Sequence, residues 1–345
     1  MCAEKILSIS VVIPTRHRHE SLVRLLESLA QQPYPLTEII IVDSSDVLPD
    51  EATYKALIPH VPLSLVHSRP SVCIQRNKGV SIAKGDYIFL CDDDIQVTEA
   101  YIPDIAKYFL EHPDAGSVAG LFLEKNKDGK WIAERPKKTF KSLLWCYIFQ
   151  TSVWGNLHNI ETNSWIKRHI KKYYDSRKNT YSLAGWPVNT NFEPPVFTTS
   201  IYSLGASITK KEWLINAPYE EVLDPYGIGD NYGVSLQFPQ QPGIHILTYA
   251  SIYHHKTPVN RLPFYVSYYR RVLALHYFMK TNSRFSIGNR LWLLWSLVGN
   301  TLMFLLKGNF PYLKATLKII ALILLGRNPY LKAKRNNEEV FVPEL

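Results

Sequence analysis

Over the first 125 residues, short apolar runs alternate with amphipathic stretches. Ile9 to Ile13, Glu38 to Val42, Leu63 to Val66, Tyr87 to Leu90 and Ser117 to Leu123 are each four to seven residues long and rich in Ile, Val, Leu or Phe. Such runs predict strands buried on both faces, as in a parallel sheet. Between the first two, Leu22, Leu25, Leu26 and Leu29 share one helical face, which ends at Gln31-Gln32-Pro33. That strand–helix–strand unit predicts a right-handed crossover. Ile102, Ile105, Ala106, Phe109 and Leu110 form a second amphipathic stripe, and Asn126-Lys127-Asp128-Gly129 reads as a turn.

From Arg135 to Pro195 the pattern weakens. Trp145, Trp154, Trp165 and Trp186 are interspersed with Lys, Tyr and Asn. This stretch suits helices standing over a site; its aromatics are either packed or platforms for sugar rings. Ile244 to Ile252 is again an apolar strand, and Phe264, Tyr268, Val272, Leu275 and Met279 recur at helical steps. Then come two apolar runs, Leu291 to Leu306 between Arg290 and Lys307, and Ile319 to Gly326 between Lys318 and Arg327. A spanning helix needs about 20 apolar residues, so both are too short. They fit helices lying in a membrane interface with Trp292 and Trp295 at headgroup depth. A helical hairpin closing the core, or a homodimer contact, would use the same residues.

Composition adds a bias in charge. The 345 residues carry a formal net charge of +9, but 14 Lys and Arg and no Asp or Glu lie between Asn231 and Asn337. Residues 1–230 hold 25 basic and 27 acidic side chains. A basic, aromatic and aliphatic C-terminal third points to an anionic membrane surface and away from nucleic acid. Cys2, Cys73, Cys91 and Cys146 show no CxxC spacing, which predicts reduced thiols and no zinc site. The N-terminus runs straight into a strand without a visible signal peptide. The expected location is cytoplasmic, peripheral to the membrane.

The candidate chemistry begins at Asp92-Asp93-Asp94, beyond the carboxyl end of the Tyr87–Leu90 strand. Ligands of open α/β sheets bind there. Three adjacent carboxylates repel one another unless a cation joins them, and a hard divalent ion that keeps positions for substrate phosphates suits them. A solvated acidic turn is the plainer reading. Upstream, Arg76-Asn77-Lys78-Gly79 supplies a guanidinium whose planar fork matches phosphate.

Together, Arg76-Asn77-Lys78-Gly79, Gly85-Asp86, the apolar strand and Asp92-Asp93-Asp94 resemble the family-2 glycosyltransferases in order and spacing. The resemblance covers most of residues 6–256 and implies an α/β GT-A fold with a mainly parallel central sheet. It implies a GT-A domain over residues 1–255, with a donor half at 1–125 and an acceptor half at 126–255. Residues 256–345 would be a helical, basic module. It further implies donor contacts from Pro14, Thr15, Asp43, Arg76, Asp92 and Asp93. Asp94 with His254 or His255 would hold Mn2+ or Mg2+. Asp43 also suits simple turn capping, and Arg16 and Arg18 are either phosphate contacts or surface charge. His254 and His255 alternate faces if the strand persists, so one of the two should point inward.

Leu204 to Ile208 is similar to the segment where the family's backbone passes close to the donor sugar. Farther on, the family's Gly-x-Gly-Glu-Asp-x-Asp-Leu-Ser is replaced here by Gly227-Ile228-Gly229-Asp230-Asn231-Tyr232-Gly233-Val234-Ser235. An amide accepts no proton, so Asp230 inherits the general-base role; its plainer reading is a helix N-cap. The implied activity is transfer, with inversion, of a sugar from a nucleotide-diphosphate donor, most simply a UDP-sugar. The acceptor is a saccharide or lipid-linked saccharide in surface-polysaccharide or glycoconjugate assembly. A sugar nucleotidyltransferase would carry a Gly-rich loop after the first strand, and Pro14-Thr15-Arg16-His17-Arg18 contains none. A non-catalytic, membrane-attached sugar-binding protein is the other alternative.

Overall fold

The structure is a computed structural model that describes residues 6–133, 139–157, 160–223, 225–239, 243–256, 259 and 261–345. The N-terminal half runs β1 (Ile9–Thr15), α1 (His19–Ala30), β2 (Glu38–Asp43), α2 (Glu51–Leu57), β3 (Leu63–His67), α3 (Val72–Ile82), β4 (Tyr87–Cys91), β5 (Ile95–Val97), α4 (Tyr101–Glu111), β6 (Ser117–Lys125) and β7 (Trp131–Ala133). The middle adds α5 (Phe140–Phe149), β8 (Val153–Trp154), α6 (Trp165–Arg177), β9 (Val188–Asn189), β10 (Val196–Thr199), β11 (Ala206–Lys210), α7 (Lys211–Asn216), α8 (Asp230–Gln237) and β12 (Ile244–His254). Four helices close the chain: α9 (Phe264–Thr281), α10 (Ile287–Leu306), α11 (Phe310–Leu324) and α12 (Pro329–Asn336).

Among the described residues the main sheet has the order β10-β12-β6-β11-β4-β1-β2-β3. Strands β3, β2, β1 and β4 pair in parallel, with Thr15 opposite Asp43 and Asp43 opposite His67. Their carboxyl ends therefore open on one edge, the place where an open α/β sheet binds ligands. Strand β11 inserts antiparallel between β4 and β6, so the sheet is mixed beyond its parallel half.

Each face of the sheet has its own core. On one, Val11, Ile13, Ile39 and Phe89 pack under α1 and α4. On the other, Val12, Ile40 and Leu90 join α8 and the C-terminal helices, down to Ile319 and Tyr330, in one continuous cluster. The C-terminal helices are thus part of the body beneath the sheet, with no break in the core near residue 256. Helix α3 lies close on β1 because Gly79 leaves room: a Cβ there would sit 2.3 Å from Val12 Cγ1.

Helix α10 turns its polar side chains inward and keeps an apolar stripe outward. Its buried side holds Ser296 and Asn300 with Leu293 and Leu297, while Ile287, Leu291, Trp295, Val298, Leu302 and Leu305 face solvent at steps of three and four. Ser296 accepts a hydrogen bond from Trp186 Nε1 at 2.6 Å, and Asn300 donates to the Tyr268 hydroxyl at 3.1 Å. On α11, Phe310, Leu317 and Leu324 are likewise exposed. No helix among the described residues is long and apolar enough to cross a membrane.

Candidate active site

A cleft of about 1120 Å³ opens at the carboxyl ends of β1, β2 and β4. It is lined by Pro14, Thr15, Ser44, Arg76, Asp92, Asp93, Asp94, Asp230 and His254 among others. Most of the expected site residues therefore meet in one place, although they span 240 positions of sequence.

The acidic triplet is held by cations of the protein itself. Thr15 Oγ1 donates to Asp93 Oδ2 at 2.8 Å, and Arg18 Nη1 donates to Asp93 Oδ1 at 2.9 Å. Burial and the neighbouring Asp94 still push Asp93 up to about 6, against the pull of Arg18. Asp94 Oδ2 accepts from Arg261 Nη2 at 2.7 Å, and its Oδ1 lies 3.4 Å from His254 Nε2. Burial works against the Asp94 charge, yet His254, Arg18 and Arg261 hold its pKa below the usual value. His254 Nδ1 turns to Glu124 at 3.0 Å. Burial disfavours the imidazolium, but Asp94 and Glu124 together raise its pKa above the ordinary value.

His255, one residue past the end of β12, points elsewhere: its ring bonds Gln96 at 3.0 Å and stands edge-on to Trp131. Of the expected metal ligands, only Asp94 and His254 converge. Among the described residues no three His, Cys, Asp or Glu side chains form a cluster that could hold an ion by themselves. The pair nevertheless fits a shared ion. Two adjacent ligands each about 2.1 Å from an octahedral centre stand about 3 Å apart, close to the 3.4 Å seen. The remaining positions would then fall to substrate oxygens.

Arg76 does not reach toward the donor end. One nitrogen donates to Asp92 Oδ1 at 2.6 Å and another to Asp230 Oδ2. Its guanidinium also lies 5.0 Å from the centre of the Tyr219 ring. Burial alone would lower its pKa, but Asp230, Tyr219 and Asp92 keep it above the ordinary arginine value. Arg76 is thus a buried bridge between the end of β4 and the start of α8. Asn77 fixes the same segment, donating to Tyr219 O at 2.8 Å and accepting from Tyr219 N at 2.9 Å. The Arg-Asn-x-Gly motif assembles the site by joining distant parts of the chain, a role that spacing alone did not reveal.

Asp43 lies behind the cleft wall, with its Oδ1 accepting from Ser45 N at 2.7 Å in a turn cap. Ser44, one residue on, takes the lining position. Gln75, unremarked in the sequence, donates to Thr15 O and Val42 O at 2.8 and 2.6 Å and so clamps the ends of β1 and β2. Gly205 serves Asp92: a Cβ there would come within 2.0 Å of Asp92 Oδ2.

Asp230 is the first residue of α8, and Gly229, at φ +101, occupies the cap position expected for it. Burial pushes the Asp230 carboxyl up while Arg76 pulls it back. A carboxylate made more basic by burial, at the wall of a cleft, is a better proton acceptor than an exposed one. The other acidic candidates nearby are engaged elsewhere. Glu220 accepts from Tyr277 and Lys334, Glu221 accepts from Asn77, and Asp224 lies outside the described residues.

Comparison with known proteins shows what the chain is similar to in sequence and fold. Residues 10–174 match Glycosyl transferase family 2. The uncharacterized glycosyltransferase YwdF of Bacillus subtilis is 38% identical over 128 residues, covering 35% of this chain and 46% of that protein. The amylovoran biosynthesis glycosyltransferase AmsB of Erwinia amylovora is 33% identical over 98 residues, covering 26% and 32%. The chain thus matches less than half the length of these curated relatives. The crystal structure of GalNAc-T7 with UDP, GalNAc and Mn2+ superposes with a TM-score of 0.52 at 15% identity, covering 79% of this chain and 48% of that one. Residues 10–174 are thus similar to family 2 glycosyltransferases, and the chain has a GT-A-like α/β fold.

Proposed function

We propose that the protein transfers a sugar from a UDP-sugar to an acceptor hydroxyl, with inversion at the anomeric carbon. The carrying observation is that Asp230 and the Asp94–His254 pair line one cleft and that Arg76 ties Asp230 to Asp92. Asp230 takes the proton of the acceptor hydroxyl. The freed oxygen attacks the anomeric carbon, and the bond from that carbon to the diphosphate oxygen breaks on the opposite face. Thr15, Ser44 and Pro14 form the nucleotide end of the cleft. Arg18 and Arg261, beside Asp93 and Asp94, are placed to meet the phosphates. Asp94 and His254 would hold a divalent ion, Mn2+ before Mg2+ because an imidazole takes part. Bound there, it would stabilise the departing diphosphate as a Lewis acid.

The acceptor end lies toward Trp154, Trp186 and Tyr202, which also line the cleft. The exposed stripe of α10, with cations around it, supports attachment to the face of an anionic membrane and a lipid-linked acceptor in polysaccharide or glycoconjugate assembly. The test is a thermal-shift series with UDP-, GDP- and dTDP-sugars, with and without Mn2+. Binding raises the melting temperature with the logarithm of saturation. A UDP-sugar should give the largest rise, increased by Mn2+; no rise with any nucleotide sugar would sink the reading.

A further inference from the structure

Among the described residues five arginines line the cleft: Arg16, Arg18, Arg76, Arg261 and Arg271. Four are engaged. Arg18 meets Asp93, Arg76 meets Asp92 and Asp230, Arg261 meets Asp94, and Arg16 stands 3.9 Å from Asp46. Among the described residues Arg271 has no hydrogen bond or ion pair. It lies on α9 between Ser267 and Leu275, each one turn away and each also lining the cleft. The helix therefore presents this side chain to the cavity, where its surface remains accessible.

It is exposed to the cavity and flanked by the cleft walls. Desolvation pulls the Arg271 pKa below the ordinary arginine value, and the carboxylate that acts against this is Asp230. Helix α9 also packs beside the start of α8, where a Cβ on Gly229 would lie 2.9 Å from Ala274 Cβ. Arg271 thus belongs to the Asp230 end of the cleft, whereas Arg18 and Arg261 serve the end where the diphosphate would lie. An exposed guanidinium at a cleft wall with no partner among the described residues is placed to meet a ligand. Its rigid fork fits oxyanions of phosphate or carboxylate type.

We propose that Arg271 is an anion subsite for the acceptor, and that the acceptor carries a phosphate or a sugar carboxylate close to the hydroxyl that Asp230 deprotonates. This rests on the glycosyl-transfer reading and names the acceptor class within it. Arg271 acts as a positioning and specificity residue, selecting charged over neutral acceptors.

The experiment titrates the full-length protein with glycerol 3-phosphate, glucuronate and neutral methyl glucoside, with the donor end saturated by UDP and Mn2+. Wild type and the variants Arg271→Gln and Arg271→Lys are compared after their melting temperatures are matched. Wild type should bind one of the two anions about tenfold more tightly than Arg271→Gln, the scale of a charged hydrogen bond. Lysine should restore part of the difference, and methyl glucoside should show none. Dependence with glycerol 3-phosphate assigns a phosphate and dependence with glucuronate a carboxylate. Equal affinities of wild type and Arg271→Gln for both anions overturn the subsite. UDP affinity is measured separately: if no variant binds UDP, the donor reading fails, and the anion titration without UDP still decides the role of Arg271.

Discussion

Beyond the carboxyl end of β4, Asp93 and Asp94 are buried and Asp92 is half-buried, and each is met by a guanidinium: Asp92 by Arg76, Asp93 by Arg18, Asp94 by Arg261. On α10 the buried side holds the neutral Ser296 and Asn300 beside Leu293 and Leu297, and a second row of apolar side chains faces outward. The two regions solve opposite problems. In the cleft, charges removed from water need counter-charges, because an unpaired buried ion is far costlier than the pair is favourable. On α10 the interior is satisfied by neutral hydrogen bonds, and it is the exterior that lacks a partner. A contiguous apolar stripe in water marks an interaction surface.

The largest effect should come from the base. Asp230→Asn keeps the size of the side chain and a hydrogen bond to Arg76 but accepts no proton. Turnover should fall by at least about 10², the usual worth of general-base catalysis, with UDP affinity nearly unchanged. A near-normal rate would return Asp230 to a structural role at the start of α8.

A buried titratable group in the C-terminal region sharpens the contrast, since it stays neutral. His276 on α9 receives a hydrogen bond from Asn328 Nδ2 at 3.0 Å. Burial, with Lys280 and Arg290 nearby, pulls its pKa down to about 4 from 6.5. The folded pKa is depressed, so the unfolded chain binds the proton first as pH falls. Stability from this group is fully present above pH 6.5, declines as pH falls, and stops declining below about 4. Between pH 7.5 and 5 the loss should be about 2 kcal/mol. Urea unfolding at both pH values should show that loss in wild type and a loss smaller by this amount in His276→Gln. Identical pH dependence in the two proteins would mean that His276 is already charged in the fold.

Asp94→Ala tests the other region. It removes one of two converging ligands and leaves the strand end intact. The gain in UDP affinity produced by Mn2+ should drop by at least about tenfold, the scale reported for support of metal sites. Calorimetry with UDP, with and without Mn2+, measures it; an unchanged increment would show that the ion, if bound, does not use Asp94.

Much of the parallel half of the fold was legible in the sequence, because strands buried on both faces leave unbroken runs of Ile and Val such as Ile39 to Val42. The location of the acidic triplet was legible for the same reason, since it follows the last residue of such a run. The partners of those carboxylates were not. Arg261 lies 167 positions from Asp94, and no local period connects them. The bridging of Arg76 was hidden similarly, since one guanidinium serves residues 16 and 154 positions away. The orientation of α10 was half visible: the uncharged run was plain, but which side faced the core depended on Trp186 and Tyr268, which come from other parts of the chain.

The smallest expected effect concerns the outward stripe and separates its two components. Leu302 and Leu305 on α10 and Leu317 and Leu324 on α11 are exposed, and Lys307, Lys314 and Arg327 lie among or beside them. Charge attraction to an anionic surface is worth roughly 1 kcal/mol per cation and is screened by salt, whereas apolar insertion is not. Lys314→Gln should therefore weaken binding to phosphatidylserine-containing vesicles by about fivefold at low salt and hardly at all in high salt. Leu302→Gln should weaken it at both. Sedimentation with vesicles measures each. A Leu302→Gln protein that still sediments like wild type, but whose mass in solution falls from dimer to monomer, would show that the stripe is covered by a second copy of the chain instead of by lipid.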